Sequence, residues 1–493
     1  MFKSSLFRKK TIQALTLQSE GMDVDESHRL KRSLGAFNLT SLGVGAIIGA
    51  GIFVMTGQAA ANYAGPAILI SFLFAGICCA FTALCYAELA SMLPVSGSAY
   101  SYAYASLGEI FAWIMGWLLL LEYGTSAAIV AVGWSGYVVS FLHDFGINIP
   151  DYLKTPTVDI IDAGKVTSHF VFGSTFNLPA FLVVLVCCVL LVIGVKESAN
   201  FNNVIVVVKL AVILLFVIFG FSHIDFHNLH PFIPANQGGD KYGYNGILRA
   251  AGVIFFAYQG FEAVSTAAQE SKNPKRDVPI GIIGSLVVCT IIYFLVAFVL
   301  VGIVPYTTLN VPDPIAVAAD AVGLGWLSFV VKIGAIAGLS SVMLVMLYAQ
   351  TRIFYTMSVD GLLPAMFAKI HTKFRTPYIN TILVCVVIAA IAGVTPISIL
   401  GDLVSLGTLM AFAIICFTVF YMRIKQPDMP RGFNVPLPFI TPILGILCCS
   451  YLMYGLSEVF VTLKYYFIVG MVIYFAYGRW HSRLADKVVV VLP

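Results

Sequence analysis

The chain has 493 residues, 59% hydrophobic and 11% charged, with a net charge of +4 and a mean hydropathy of +0.93. Soluble domains carry about 25% charged residues, so this chain lacks the charge to cover a water-soluble globule and a soluble protein is excluded. No G-x-x-x-x-G-K-[ST] loop is present and no polar stretch is long enough for a catalytic domain. Neither an ATP-driven pump nor a membrane enzyme is therefore expected, and nothing points to nucleotide, nucleic acid, metal or cofactor.

Residues 1–35 mix Lys3, Arg8, Lys9, Lys10, Arg29, Lys31 and Arg32 with Ser, Glu and Asp. Without the apolar core of a signal peptide, they predict a solvated cytosolic tail. Beyond them, apolar runs of about the 20 residues that cross a ~30 Å hydrocarbon core predict an all-α integral membrane protein of twelve spans. The spans are expected near 36–62, 67–92, 108–142, 178–195, 202–222, 246–270, 281–304, 326–357, 378–394, 399–421, 437–456 and 459–478. With a cytosolic N-terminus, 21 of the 28 Lys and Arg fall on the inside, whereas the long loop 143–177 carries four Asp against two Lys. That bias places both termini in the cytoplasm.

The first span reads Gly43-Val44-Gly45-Ala46-Ile47-Ile48-Gly49-Ala50-Gly51, four glycines in nine residues. Glycine costs ~1 kcal/mol against alanine inside a helix, so this density predicts unwinding. The sixth span reads Phe256-Ala257-Tyr258-Gln259-Gly260-Phe261-Glu262. Five spans apart, the two breaks correspond if spans one to five and six to ten are inverted repeats. Paired broken helices put free N–H and C=O groups at a midplane site for a small zwitterion or ion; close helix packing is the competing use of such glycines. The chain then divides into a tail (1–35), a first repeat (36–222), a second repeat (223–421), helices eleven and twelve (422–478) and a tail (479–493).

Three charged residues fall deep in spans. Glu122 should face a cavity or a partner, as counter-charge to a cationic substrate, as proton carrier, or as a satisfied structural carboxylate. Lys209, flanked by Val206, Val207, Val208 and Leu210, reads as a proton-coupling group, a snorkelling lysine or half of an ion pair. Glu262 directly follows the sixth-span break, where coupling or gating competes with substrate contact. Glu88 reads as structural, and Arg249, Lys332 and Asp402 as close enough to water to need no special role. All ten cysteines lie within apolar blocks and read as small core hydrophobes.

These residues carry a resemblance. Gly43–Gly51 with Ile52-Phe53 resembles the first-span signature of the amino acid–polyamine–organocation superfamily, and the run from Cys85 to Tyr100 resembles its second-span signature. Leu121-Glu122-Tyr123, Thr351-Arg352, the run from Met357 to Pro364 and the run from Arg431 to Pro436 are similar to the cationic amino acid transporter branch, in its bacterial form. The resemblance implies a leucine-transporter-like fold, a 5+5 inverted repeat with helices one and six broken, plus two extra helices, in the plasma (inner) membrane. It also implies that amides of Gly49, Ala50 and Gly51 hold a substrate carboxylate and that carbonyls of Ile47, Phe256 and Gln259 hold its ammonium. Ala257 and Gly260 belong to the same binding stretch, and Phe256 stands at the position of an aromatic gate. Lys209 matches a lysine that carries the coupling proton, and Glu122 a glutamate associated with cationic side chains. Spans three, six, eight and ten form the pocket walls, with Ser341, Val342 and Met343 as candidates. Gln259 stands where relatives often have an apolar residue.

The expected function is proton-coupled import of a cationic amino acid (arginine or lysine) or a small neutral one by alternating access. The alternatives are exchange without a proton and a non-transporting sensor.

Overall fold

The computed structural model describes residues 6–10, 34–93, 98–162, 168–194, 199–456 and 459–486. The signature residues 94–97, most of the N-terminal tail, residues 487–493 and Lys196 lie outside the described residues. Among the described residues, eight helices are long and apolar enough to cross a membrane, and four apolar helices are shorter. Helix is what these sequences must form in hydrocarbon, because it satisfies every backbone group within the segment.

The first span is split. Helix α1 (Ala36–Ile47) stops at Ile48, whose ψ of 99° is extended, and a second segment, partly π-helical, runs from 50 to 64. There follow α2 (Ile68–Met92), α3 (Ser98–Ser106), α4 (Glu109–Asp144), α5 (Leu178–Ile193) and α6 (Ala199–Phe221). The sixth span is also split: α7 (Gly243–Ile254) tightens into a 3-10 turn over Phe255–Tyr258, opens at Gln259, and resumes as a short turn at Ala263–Thr266. Then come α8 (Pro274–Ile303), α9 (Pro314–Ala321), α10 (Gly325–Val359), α11 (Tyr378–Val394), α12 (Ile397–Lys425), α13 (Ile440–Tyr454) and α14 (Phe460–Ile473).

The packing has a pattern. Helix α4 lies along α10, α2 along α8, and α5 along α11, while α12 packs on α4 and α6 on α10. Helix α1 packs on α8 and α7 on α2. Helices α13 and α14 join this set from outside, and α14 keeps an apolar flank of Val461, Ile468, Val469 and Val472 exposed. Near the chain start, Leu34 pairs with the strand leaving the sixth span, its N–H donating to Glu270 O and its carbonyl accepting from Lys272 N–H.

The fold is helical as expected, and loop 143–177 adds a two-stranded antiparallel hairpin, Val158–Asp162 against Ser168–Phe172. This loop lies between spans, where backbone can pair across strands without lipid contact. Part of the N-terminal tail is docked rather than solvated. Arg8 O accepts the Glu109 N–H at 2.9 Å, and Lys10 Nζ donates to Asp360 Oδ1 at 2.5 Å. Arg249, Lys332 and Asp402 are buried, not bathed in water. Arg249 pairs with Asp402 at 2.6 Å, and Lys332 with Asp144 at 2.8 Å; a buried charge is retained only with its partner beside it. The structural reading of Glu88 is supported by its contacts: its carboxylate takes Arg423, Arg431 and the Val435 N–H.

Candidate functional site

The two helix breaks meet backbone to backbone. A Cβ on Gly51 would sit 2.4 Å from Ala257 Cα, a separation no side chain tolerates. Gly260 has φ +121° and would push a Cβ to 2.7 Å from Ala46 C. The glycines thus serve close approach as well as unwinding, and the unwound stretch itself is short, Ile48 and Gly49.

A break in a membrane helix leaves backbone groups that hydrocarbon cannot satisfy, and side chains from neighbouring helices supply partners. Lys209 on α6 is 1% exposed, and its Nζ donates to Gly45 O at 2.7 Å and Ile48 O at 3.0 Å. The lysine therefore ends at the α1 terminus and does not snorkel. Tyr293 on α8 places its hydroxyl 2.8 Å from Ile47 O and 2.7 Å from Ala257 O, donating to one at a time. One phenol therefore bridges both breaks. Tyr137 on α4 donates to Phe53 O at 2.7 Å, and Ser405 on α12 to Val253 O at 2.9 Å.

What remains open points into a small cavity. The second segment's first helical bond runs from Phe53 N–H to Gly49 O, so the amides of residues 49–52 form a helix N-terminus, a ready anion site. Gly49, Ala50 and Gly51 line the cavity together with Ala46 and Ile47. Phe256 and Gln259 line it from the sixth span, Ser126 and Val130 from α4, and Val342 and Met346 from α10. The space open to a water's centre is ≈ 10 Å³, room for about one water. A solute larger than water fits only if the walls part. The carbonyls of Ile47 and Phe256 already accept Tyr293 and the Gln259 N–H respectively, and each keeps a second lone pair for an ammonium.

The expected site residues separate into two groups. Ile47, Gly49, Ala50, Gly51, Phe256 and Gln259 line the cavity, whereas Glu122, Ala257 and Gly260 do not. Ala257 serves as backbone packing against Gly51, and the Gly260 N–H donates to Glu262 Oε2 at 2.8 Å. Of the three wall candidates on α10, Val342 lines the cavity and Ser341 and Met343 do not. Glu122 is 0% exposed and sits behind Gln259, beside Glu262, with neither oxygen hydrogen-bonded among the described residues. Ser126, Val130, Met346 and Tyr293 went unnoticed in the sequence. Ser126 stands one helical turn after Glu122 and Met346 one turn after Val342, a spacing that shares a face. Tyr293 carried no local signal, since Ser285 and Thr290 offer hydroxyls in the same span.

Comparison with known proteins fits this geometry. Residues 34–476 match the amino acid permease family model. The chain is 45% identical to the methylthioribose transporter of Bacillus subtilis (strain 168), over 98% of this chain and 99% of that protein. It is 44% identical to the branched-chain amino acid permease of the same organism, again over 98% and 99%. It is 38% identical to the chloroplastic cationic amino acid transporter 9 of Arabidopsis thaliana, over 88% of this chain and 74% of that one. The match spans both broken helices and nearly every packed helix, and the protein is a transporter, not an enzyme: the chain belongs to the amino acid permease family and is a multi-pass membrane protein of the amino acid–polyamine–organocation superfamily.

Proposed function

We propose that the protein imports an amino acid together with a proton, by alternating access around the cavity between the two breaks. The observation that carries this reading is Lys209, a buried lysine whose Nζ donates to the two carbonyls at the end of α1. A charged ammonium holds those carbonyls by charge-assisted hydrogen bonds, and a neutral amine holds them less strongly. Gain or loss of one proton would then bias the position of α1, which is what coupling requires. The amides at 49–51 receive the substrate carboxylate, and the Ile47 and Phe256 carbonyls its ammonium.

The architecture of this reading is twelve spans in two inverted five-helix repeats, 36–222 and 223–421, with two further helices at 422–478 and both termini in the cytoplasm. The packing supports it. Exchanging each span with the one five later turns the α12–α4 contact into the α6–α10 contact, and α1–α8 into α7–α2. The pairs α4–α10, α2–α8 and α5–α11 map onto themselves.

The relatives' names divide on side-chain charge, so the pocket has to decide. Its side-chain wall is Ile47, Val130, Phe256, Val342 and Met346, with Ser126 and Gln259 as the polar members. That wall fits an uncharged side chain, a small neutral amino acid. The second reading, arginine or lysine, is favoured by the buried Glu122.

The test is uptake of labelled leucine, alanine and arginine into proteoliposomes, with an inward proton gradient imposed and then collapsed by ionophore. Accumulation that vanishes with the gradient supports symport. Lys209→Ala should abolish uphill accumulation. Uptake that ignores the gradient but needs internal amino acid means exchange, and full uphill uptake by Lys209→Ala would sink the coupling role.

A further inference from the structure

Beside Gln259, off the cavity lining, lie two neighbouring buried carboxylates, Glu122 and Glu262, 0% and 1% exposed. Three of their four carboxylate oxygens have no hydrogen bond among the described residues; the fourth, Glu262 Oε2, accepts the Gly260 N–H. The Tyr86 hydroxyl faces both acids and is likewise unpartnered. Buried carboxylate oxygens without donors are costly, and a cationic group set between them would supply donors to all three.

Gln259 stands between these carboxylates and the cavity, which it lines. Its Oε1 lies 2.8 Å from Ser126 Oγ, a hydroxyl that also reaches Glu122 O at 2.5 Å and donates to one of the two at a time. The other side of the amide faces the Glu122 carboxylate. A long cationic side chain in the cavity would have to displace this amide to meet Glu122.

We propose that Gln259 is the specificity-determining residue of the site: its amide plugs the passage to Glu122 and Glu262 and restricts the protein to uncharged side chains. The plug works in two ways. It fills the volume a long side chain would need, and it offers the carboxylate a neutral donor where a substrate cation would otherwise bind. A site that fits the substrate by excluding the competitor is discrimination by obstruction. Removing the amide clears the way to two buried carboxylates that can hold a guanidinium or ammonium. The inference rests on the amino acid transport proposed above.

The test compares wild type, Gln259→Ala, Gln259→Leu and the double variant Gln259→Ala/Glu122→Gln. Two readouts apply: thermal stabilisation of the purified protein by leucine and by arginine, and uptake of both labels into proteoliposomes. Wild type should favour leucine. Gln259→Ala should shift the arginine-to-leucine preference by about tenfold or more, the scale on which a single pocket change discriminates. Gln259→Leu keeps the volume and should gain no arginine binding, and the double variant should lose the gain. The proposal is overturned if wild type binds arginine as well as leucine. It is overturned too if Gln259→Ala keeps leucine but gains no arginine, as a mere strut would. A gain equal in Gln259→Leu, or one that survives Glu122→Gln, also overturns it. If wild type neither binds nor moves any amino acid, the transport reading itself fails and this inference falls with it.

Discussion

The two ends of the helix bundle are closed by different means. At the end away from the chain termini, a few buried ion pairs tie the spans together. Arg249 on α7 meets Asp402 on α12 with side chains 4% and 12% exposed, and its guanidinium lies 5.2 Å from the Tyr63 ring of the first span. Lys332 joins α10 to Asp144 at the end of α4 and to Asp320 on α9. At the other end the chain termini take part in the closure. Asp360, just past α10, accepts Lys10 from the N-terminal segment and the Tyr100 hydroxyl at 2.6 Å, and its carbonyl accepts the Arg483 N–H. Glu109 accepts Ser482 at 2.6 Å and Tyr474 at 3.0 Å. One end is held by side chains that reach from span to span, and at the other the terminal segments add their own contacts. A seal between spans breaks only at the cost of a buried charge; a seal made by a tail can release its charges to solvent.

That contrast can be broken experimentally, most severely at the end away from the termini. Arg249→Ala leaves Asp402 buried without its partner and should cost about 3–5 kcal/mol, read as a large loss of thermal stability. The Arg249→Met/Asp402→Leu double variant should recover much of it; a single variant as stable as wild type would dissolve the distinction. Glu88→Gln keeps the shape but surrenders the charge that holds Arg423 and Arg431, with an expected loss of about 1.5–3 kcal/mol. Lys10→Ala leaves Asp360 the Tyr100 hydroxyl and should have the smallest effect of the three, showing itself first as faster proteolysis of the N-terminal segment.

The Lys10 contact also has a pH sign. Burial pulls the Lys10 pKa below the ordinary lysine value, and Asp360 restores only part of the loss. Docking therefore favours the neutral amine. It should tighten as pH rises through the docked pKa toward the free value of 10.5, and weaken as pH falls. Proteolysis of the segment that is slower at pH 7 than at pH 9.5 would reverse this sign.

Much of the fold was legible because bilayer-crossing helices need length and apolarity. Tyr378–Val394 was expected at 378–394 and Leu178–Ile193 at 178–195. The short helices α3 and α9 were missed because nine and eight residues give too little periodicity to read. The hairpin was missed because its strands are five residues each, short runs inside a loop read only for its charge. The breaks were readable from glycine density, but Tyr293 was not, since nothing local marks which backbone a distant hydroxyl will satisfy.

The sequence by itself determined that the chain lives in a membrane, where its apolar helices run, and which two of them are interrupted. Those properties follow from local composition against a hydrocarbon solvent. Only the tertiary structure decided what each polar side chain meets. It put Lys209 on the end of α1, Glu122 one layer behind the cavity and Gln259 in between. It also paired Arg249 with Asp402, 153 residues away. Buried polar groups must be satisfied in three dimensions, and the partner that satisfies them is set by helix packing across the chain rather than by neighbours along it.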